Sequence, residues 1–292
     1  MKFTRCLLSL LLAIGIAGNA FSQDDDLLGE LIDDTPKKEK VYNAFKSSRV
    51  IMSHSMEMLR PGVLDFRILH RFGRINGGAY EFFGLDGPAT VRLGLDYGIT
   101  DYLTVGIGRS TFNKELDGFI KFRPVQQSTG PKSFPFSIVG VAGITYAADT
   151  ITKRGRTSDR FAYYWQAIVG RKFSEAFTLQ LIPTLLHRNK VSQGEDNDLY
   201  AGGIGSRIKL SKRISLNVDY YYVFNQPPGI RNPLSIGFDI ETGGHVFQLH
   251  FTNALGINER AFLSETSDNW GDGDIQFGFN ISRSFQLKKK KS

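Results

Sequence analysis

The chain has 292 residues, with 36 Lys and Arg against 29 Asp and Glu, a formal charge of +7, and one cysteine, Cys6. One cysteine rules out an internal disulfide or a thiolate-rich zinc site, and the mild basic excess alone fits nucleic acid or an anionic membrane surface. The 31 glycines, 23 phenylalanines and 11 tyrosines favour many strands, glycine turns and aromatic surfaces.

At the start, "MKFTR" is a short basic region, "CLLSLLLAIGIAG" an apolar run, and "NAFSQDDD" a small-residue cleavage region followed by acid. Residues 1–22 therefore read as a secretory signal peptide cut before Gln23. Export removes nucleic acid from the expected partners, and no later apolar run reaches the length of a membrane helix. Residues 23–60 follow as a periplasmic leader. Its first part is charge-rich, while "VYNAFKSSRVIMSHSMEMLR" has no clear period and reads as either a short extra strand or a plug segment.

From Pro61 a period of two persists, and residues 61–287 predict twelve strands. The first, "VLDFRILHRF", sets Leu64, Phe66, Ile68 and Phe72 against Asp65, Arg67, Leu69 and Arg71. "ATVRLGLDYG", "YLTVGIGRS" and "LDGFIKFR" follow. The fifth, "FSIVGVAGITY", is apolar on both faces and small on one. "RFAYYWQAIVG", "FTLQLIPTLLHR" and "LYAGGIGSRIKL" come next. The ninth, "ISLNVDYYYVF", alternates most clearly, and "LSIGFDIE", "HVFQLHFT" and "DIQFGFNISRSF" complete the set, with Arg283 interrupting the last apolar face. Residues 288–292 form a basic tail.

Connection lengths sort by parity. The even-numbered links "ITD", "KFSEA", "SKR" and "TGG" are short, whereas most odd-numbered links are long, up to "NALGINERAFLSETSDNWGDG". Two links depart from the rule: "PVQQSTGPKSFP" after the fourth strand is long, and "TFNKE" after the third is short. An even strand count with short turns at one end and long loops at the other predicts an all-β fold, a closed antiparallel transmembrane β-barrel of the outer membrane. The competing reading is a soluble periplasmic β-sandwich or lipid-binding module. It would bury Phe277, Phe279 and Ile281 between two sheets, where a barrel turns them to lipid.

The segments "GVLDFRILHRFGRINGG", "LDYGITDYLTVGIGRS" and "ETGGHVFQLHFTNALGI" resemble an uncharacterised envelope β-barrel family of Bacteroidota. The resemblance implies location and architecture, and it carries no reaction, cofactor or ligand.

With the apolar face outward, the opposite face supplies the candidate lumen set: Asp65, Arg67, Arg71, Asp96, Arg207, Lys209, Asp219, Asp239, Glu241 and His250. Mixed charges there are expected to pair across strands and hydrate, and a small solute is the candidate cargo. Outer-membrane lipid and the barrel-assembly machinery are the expected partners. A membrane-embedded hydrolase is the weaker alternative, because no serine neighbours the outward His70 or His187 in this register. No catalytic residue, metal site or cofactor is assigned. Asp239 or Glu241 beside His250, and the acidic runs "GEDND" and "SDNWGDGD", lack a recognised ligand spacing. His245 and His250 lie five residues apart and so point to opposite faces, His250 toward a hydrated lumen beside the tenth-strand acids.

Overall fold

The computed structural model describes residues 37–148, 155–243 and 245–288. The signal peptide, residues 23–36 of the leader and residues 289–292 of the tail lie outside the described residues. Twelve strands form one closed sheet in which each pairs antiparallel with its chain neighbours. They are β1 (Val63–Arg74), β2 (Thr90–Thr100), β3 (Leu103–Ser110), β4 (Glu115–Val125), β5 (Ser137–Ala147) and β6 (Phe161–Lys172). The second half holds β7 (Phe177–Arg188), β8 (Asp198–Lys209), β9 (Ile214–Val223), β10 (Leu234–Thr242), β11 (His245–Thr252) and β12 (Gln276–Gln286). The twelfth strand closes on the first, with Ile281 opposite Ile68 and Ser284 opposite Asp65. Closure pairs every strand edge, which an all-β protein in lipid requires.

Side chains alternate across this sheet as its period of two dictates. Leu93, Leu95, Ile107, Ile120, Trp165, Leu181, Phe238, Phe247, Leu249 and Phe251 are exposed on the outer face, while Arg92, Asp96, Asp219, Asp239 and His250 are buried on the inner one. Phe277, Phe279 and Ile281 share the outer face with Phe251, Leu249 and Phe247, their register partners on β11. The sandwich reading is thereby overturned, since no second sheet covers them.

Polar outward residues sit at the two rims. Arg283 lies at the short-turn end with its guanidinium carbon 4.9 Å from the Phe285 ring centroid, so its stem covers apolar surface while its charge reaches the headgroup level. Arg171 does the same between Phe136 and Phe173, at 5.8 and 5.1 Å. At the long-loop end a row of rings runs from Tyr146 through Phe161 and Tyr163 to His187, at centroid spacings of 5.0, 6.4 and 6.4 Å. Two aromatic girdles bounding an apolar band are the outer surface of a membrane barrel.

Both departures from loop parity have a structural reason. The long β4–β5 link forms a two-residue antiparallel ladder with the leader, Glu39 opposite Thr129 and Lys40 opposite Ser128. The link is long because it receives the leader at the short-turn end. At the other end the short β3–β4 link leaves a low rim, where Asn113 Nδ2 donates to Glu265 Oε2 at 2.6 Å from the β11–β12 loop.

Residues 41–60 then enter the barrel. Their chain folds back on itself through an Arg49–His54 bridge, with Val50 N donating to Ser53 O at 2.9 Å and Ser55 N to Ser48 O at 3.0 Å. This inner hairpin returns at Leu59 and Arg60 to the start of β1, where Gly98 permits close contact. A Cβ on Gly98 would stand 2.3 Å from the Arg60 carbonyl oxygen, whereas one on the outward Gly118 would find its nearest neighbour at 3.7 Å. Gly98→Ala is therefore expected to destabilise by about 1–3 kcal/mol through overpacking against backbone, and Gly118→Ala to be neutral. Heat-modified migration on gels reads both, and equal midpoints for the two variants would contradict the contact.

Candidate functional site

The lumen is filled from both ends. From the short-turn end comes the inner hairpin, whose Ala44, Phe45, Val50, Ile51, Met52 and Met56 are buried. From the long-loop end comes residues 253–275, carrying α1 (Glu259–Ser264), a single short helix with all six residues buried. Asn258 caps it, its side chain accepting from Ala261 N at 2.9 Å.

The inner wall has two unlike halves. On β5–β9 it is largely apolar, with Val139, Val141, Tyr164, Ile168, Ile182, Leu186, Leu199, Tyr221 and Val223 forming one buried cluster with the hairpin and with Phe262 of α1. Beside the charged residues expected to face the lumen stands this apolar wall, because a filler with apolar side chains needs an apolar surface to pack on. It also explains the fifth strand: Val139 and Val141 face inward, while the small Gly140 and Ala142 face lipid.

On β10–β12 and β1–β4 the wall is charged and amide-rich, and it binds the same filler by hydrogen bonds. Arg67 Nε donates to Asp65 Oδ2 at 2.6 Å and lies 3.3 Å from Asp96 Oδ2, while its Nη2 donates to Ser47 Oγ of the hairpin at 2.9 Å. Ser282 and Ser284 donate to Asp65 from β12 at 2.6 and 3.1 Å. Lys121 Nζ donates to the hairpin carbonyls of Glu57 and Ser48 at 2.6 and 3.2 Å. Gln248 Nε2 donates both to Asp239 Oδ1, at 2.6 Å, and to Val50 O. Gln180, on the apolar half, accepts from Met56 N at 2.9 Å and donates to His54 O at 2.8 Å.

Asp219 has the most concentrated role. Its carboxylate accepts from the backbone nitrogens of Ile51, Met52 and Ser53 at 3.2, 2.8 and 2.8 Å, and from Ser53 Oγ at 2.9 Å. A turn that points several N–H groups at one carboxylate is held as a nest holds an anion.

The two fillers meet at Glu259. Arg49 Nη1 donates to Glu259 Oε1 at 3.2 Å and to Met52 O at 3.0 Å, and its guanidinium carbon lies 5.6 Å from the Phe119 ring centroid. His54 Nε2 lies 3.3 Å from the same Glu259 oxygen. The same His54 nitrogen lies 3.4 Å from the Tyr164 hydroxyl oxygen, and burial, then the charge of Arg49, pushes His54 well below the usual histidine range. Nearby, Glu115 of β4 receives Asn258 and Arg260, which tie the loop to the wall.

Of the ten lumen residues expected from the sequence, the structure brings Asp65, Arg67 and Asp96 together and gives Asp219 and Asp239 hairpin or near-hairpin partners. Arg207 reaches Ala44 O at 3.4 Å, and Glu241 pairs with Lys46. Lys209 stands partly exposed at the short-turn end. Arg71 and His250 are fully buried on the inner face. His250 does not contact the tenth-strand acids: Gln248 takes Asp239, and His250 lies opposite Gly237. No group of metal-ligating side chains occurs among the described residues.

Residues outside the expected set are as central: Arg49, Arg92, Asp117, Lys121, Gln248 and Glu259. Arg92 and Asp117 form a buried pair, Nε to Oδ1 at 2.8 Å, and alternation alone places both inward. Arg49 and Glu259 carry no such signal, since neither is in a strand. Among the spaces inside, one of about 150 Å³ opens at the short-turn end beside Lys46, Glu57, Asp65 and Arg67. Another between Arg49, Arg67, Asp239 and Gln248 amounts to about 20 Å³, room for one water molecule.

A closed twelve-stranded sheet with an apolar outer band, aromatic rims and a charged inner wall defines an outer-membrane β-barrel. The chain belongs to the DUF5777 family, described as a membrane bound beta barrel domain, whose model matches residues 45–285 and so includes the inner hairpin. Among curated proteins none matches. Among solved structures, the NanC porin matches with a TM-score of 0.50 at 9% identity, over 77% of this chain and 100% of that one. The KdgM porin matches at 0.48 and 7% identity, over 76% and 99%. An outer membrane channel from Pseudomonas putida F1 matches at 0.48 and 13% identity, over 79% and 98%. At these identities the likeness to NanC is one of fold.

Proposed function

We propose that this barrel is a porin-like conduit for small hydrophilic solutes, kept shut by the inner hairpin and the α1 loop, in the envelope of a member of the Bacteroidota. Insertion by the barrel-assembly machinery follows from the same reading.

The observation that supports it is the division of the wall. A barrel filled for stability alone gains most from apolar packing, because buried ion pairs are often no better than hydrophobic residues of the same volume. Here the charged half of the wall holds its filler through Arg67, Lys121 and Gln248, and even the apolar half adds Gln180 and Asp219, groups whose partners water can replace. The hairpin's chain enters beside the leader ladder and leaves by the turn into β1, both at the short-turn end. It can therefore withdraw toward the periplasm while every strand pairing stays intact. The charged half of the wall would then line a wet path.

Asp219→Ala tests this directly. Loss of the carboxylate leaves four hairpin donors without their acceptor, and hydrogen bonds to a charged group contribute about 1.5–3 kcal/mol each. In planar bilayers the wild-type protein is expected to conduct in rare, brief events, and Asp219→Ala to show long openings. Deletion of residues 42–58 is expected to give a steady conductance. If both variants migrate as folded, heat-modifiable barrels and neither conducts above wild type, the conduit reading is wrong.

A further inference from the structure

The outer face is hollowed over β4 and β5. Gly118, Gly140 and Ala142 are outward there, while Ile107, Ile120, Ile144 and Trp165 project around them at 62, 57, 40 and 49% exposure. A Cβ on Gly118 would meet nothing nearer than 3.7 Å, and one on Gly140 nothing nearer than 4.0 Å. The result is an apolar groove of about 620 Å³ in the lipid-facing band, with Trp165 as one wall.

At its long-loop end this groove meets positive charge. An outward row runs in register from Arg109 of β3 to Leu116 of β4, Tyr146 of β5 and Phe161 of β6. Leu116 and Gly118 are successive outward residues of one strand, so the row borders the hollow directly. Arg109 is the one charged side chain on the outer face of β2–β5, and it is exposed with neither hydrogen bond nor ion pair among the described residues. Arg160, the residue before β6, donates from Nη1 to the Tyr146 hydroxyl at 3.2 Å, and its buried Nε has no acceptor. Neither arginine has a carboxylate within 4 Å among the described residues, although Arg74, Arg188, Lys190 and Arg260 at the same end each have one. The hollow on the far side of Trp165, beside Ala167 and Pro183, lacks this feature, since its rim residue His187 is engaged by Asp198 at 2.6 Å.

Unpaired guanidiniums at headgroup level have the complement of a phosphate, which arginine binds through paired hydrogen bonds. With neighbouring strands about 4.8 Å apart, the backbones of Arg109 and Tyr146 stand about 10 Å apart, a span that two arginine side chains can close over one phosphate. The groove opening below them suits a hydrocarbon chain, which a soluble anion does not carry. We propose that this surface binds one phosphate-bearing lipid of the outer leaflet, its phosphate over Leu116 between Arg109 and Arg160 and one acyl chain in the groove over Gly118 and Ala142. The site lies outside the barrel and does not depend on whether the lumen conducts.

Trp165 supplies the readout, because in Trp270→Phe it is the only tryptophan of the full chain. That protein is refolded into phosphatidylcholine vesicles containing a small fraction of phosphatidic acid with brominated acyl chains, and quenching is compared with that by the same fraction of brominated phosphatidylcholine. A preference of about tenfold for phosphatidic acid is expected, the equivalent of one hydrogen bond to a charged group. Replacing both arginines, Arg109→Gln with Arg160→Gln, is expected to abolish the preference. Ala142→Phe, which fills the groove and leaves both charges, is expected to reduce it several-fold, and Ala167→Phe on the far side of Trp165 to leave it unchanged. Equal quenching by the two lipids, or a preference that survives the loss of both arginines, overturns the proposal. A preference untouched by Ala142→Phe would mean that charge alone holds the headgroup, and refutes the groove as the seat of the chain. Should Trp270→Phe fail to fold, mass spectrometry of the wild-type protein released from detergent micelles decides: phosphatidic acid retained over phosphatidylcholine supports the site, and equal retention refutes it.

Discussion

Leu249→Arg is expected to cost about 2–4 kcal/mol of membrane stability, because an arginine facing lipid near the bilayer midplane loses its hydration with no partner to replace it. Leu249 is 42% exposed on the outer face, between Phe238 and Phe279 in the middle of the apolar band. Position matters more than residue type here. Thr242 is also outward but ends β10 at the short-turn rim, where Thr242→Arg is expected to cost about 0–1 kcal/mol. The native Arg283 already stands at that height, across from His245 and over Phe285. Refolding yields into vesicles, with heat-modified migration as the readout, compare the two variants. Equal yields would mean that the apolar band does not face lipid as the alternation requires.

That prediction was legible from the sequence, and the reason is geometric. A strand has two faces, so a run such as "HVFQLHFT" fixes Phe247, Leu249 and Phe251 on one side whatever the tertiary context. Closure of β12 on β1 follows from the same alternation, since both carry an outward apolar set in register. Connection lengths then gave strand direction, and even the long β4–β5 link was a signal, of the leader ladder it forms.

The filling of the barrel was not legible, again for a physical reason. "VYNAFKSSRVIMSHSMEMLR" lacks a period because each of its residues answers to a different partner: Phe45 and Met52 to the apolar wall, Ser47 to Arg67, the nitrogens of residues 51–53 to Asp219. A segment with no regular structure of its own leaves no regular pattern. The inner wall misled in the same way. Its apolar half on β5–β9 resembles a second lipid face until the hairpin is placed against it. His250 was assigned to the lumen correctly by parity, but its neighbours depend on which amide reaches Asp239 first, and Gln248 does.

Arg49 and Glu259 join two segments more than two hundred residues apart, 3.2 Å apart and both nearly inaccessible. Removing one member of such a pair leaves the other charge buried and uncompensated, a loss of about 3–5 kcal/mol. Burial raises Glu259 above the usual carboxylate range, with Arg49 acting against that shift. Glu259→Gln keeps the volume and removes the charge. Its cost should fall on the fillers and spare the sheet, because no strand pairing involves either residue. Amide exchange is therefore expected to accelerate together at residues 50–53 of the hairpin and 259–264 of α1, while the heat-modification midpoint of the barrel changes little. Arg49→Met in the Glu259→Gln background removes the stranded charge and is expected to restore much of the protection, the two changes being strongly non-additive. Unchanged exchange in Glu259→Gln would assign the docking of both segments to apolar contacts such as Phe262 on Tyr221, with ring centroids 5.3 Å apart. Acceleration confined to α1 would show that the wall groups hold the hairpin without Glu259, and that the two ends of the lumen open independently.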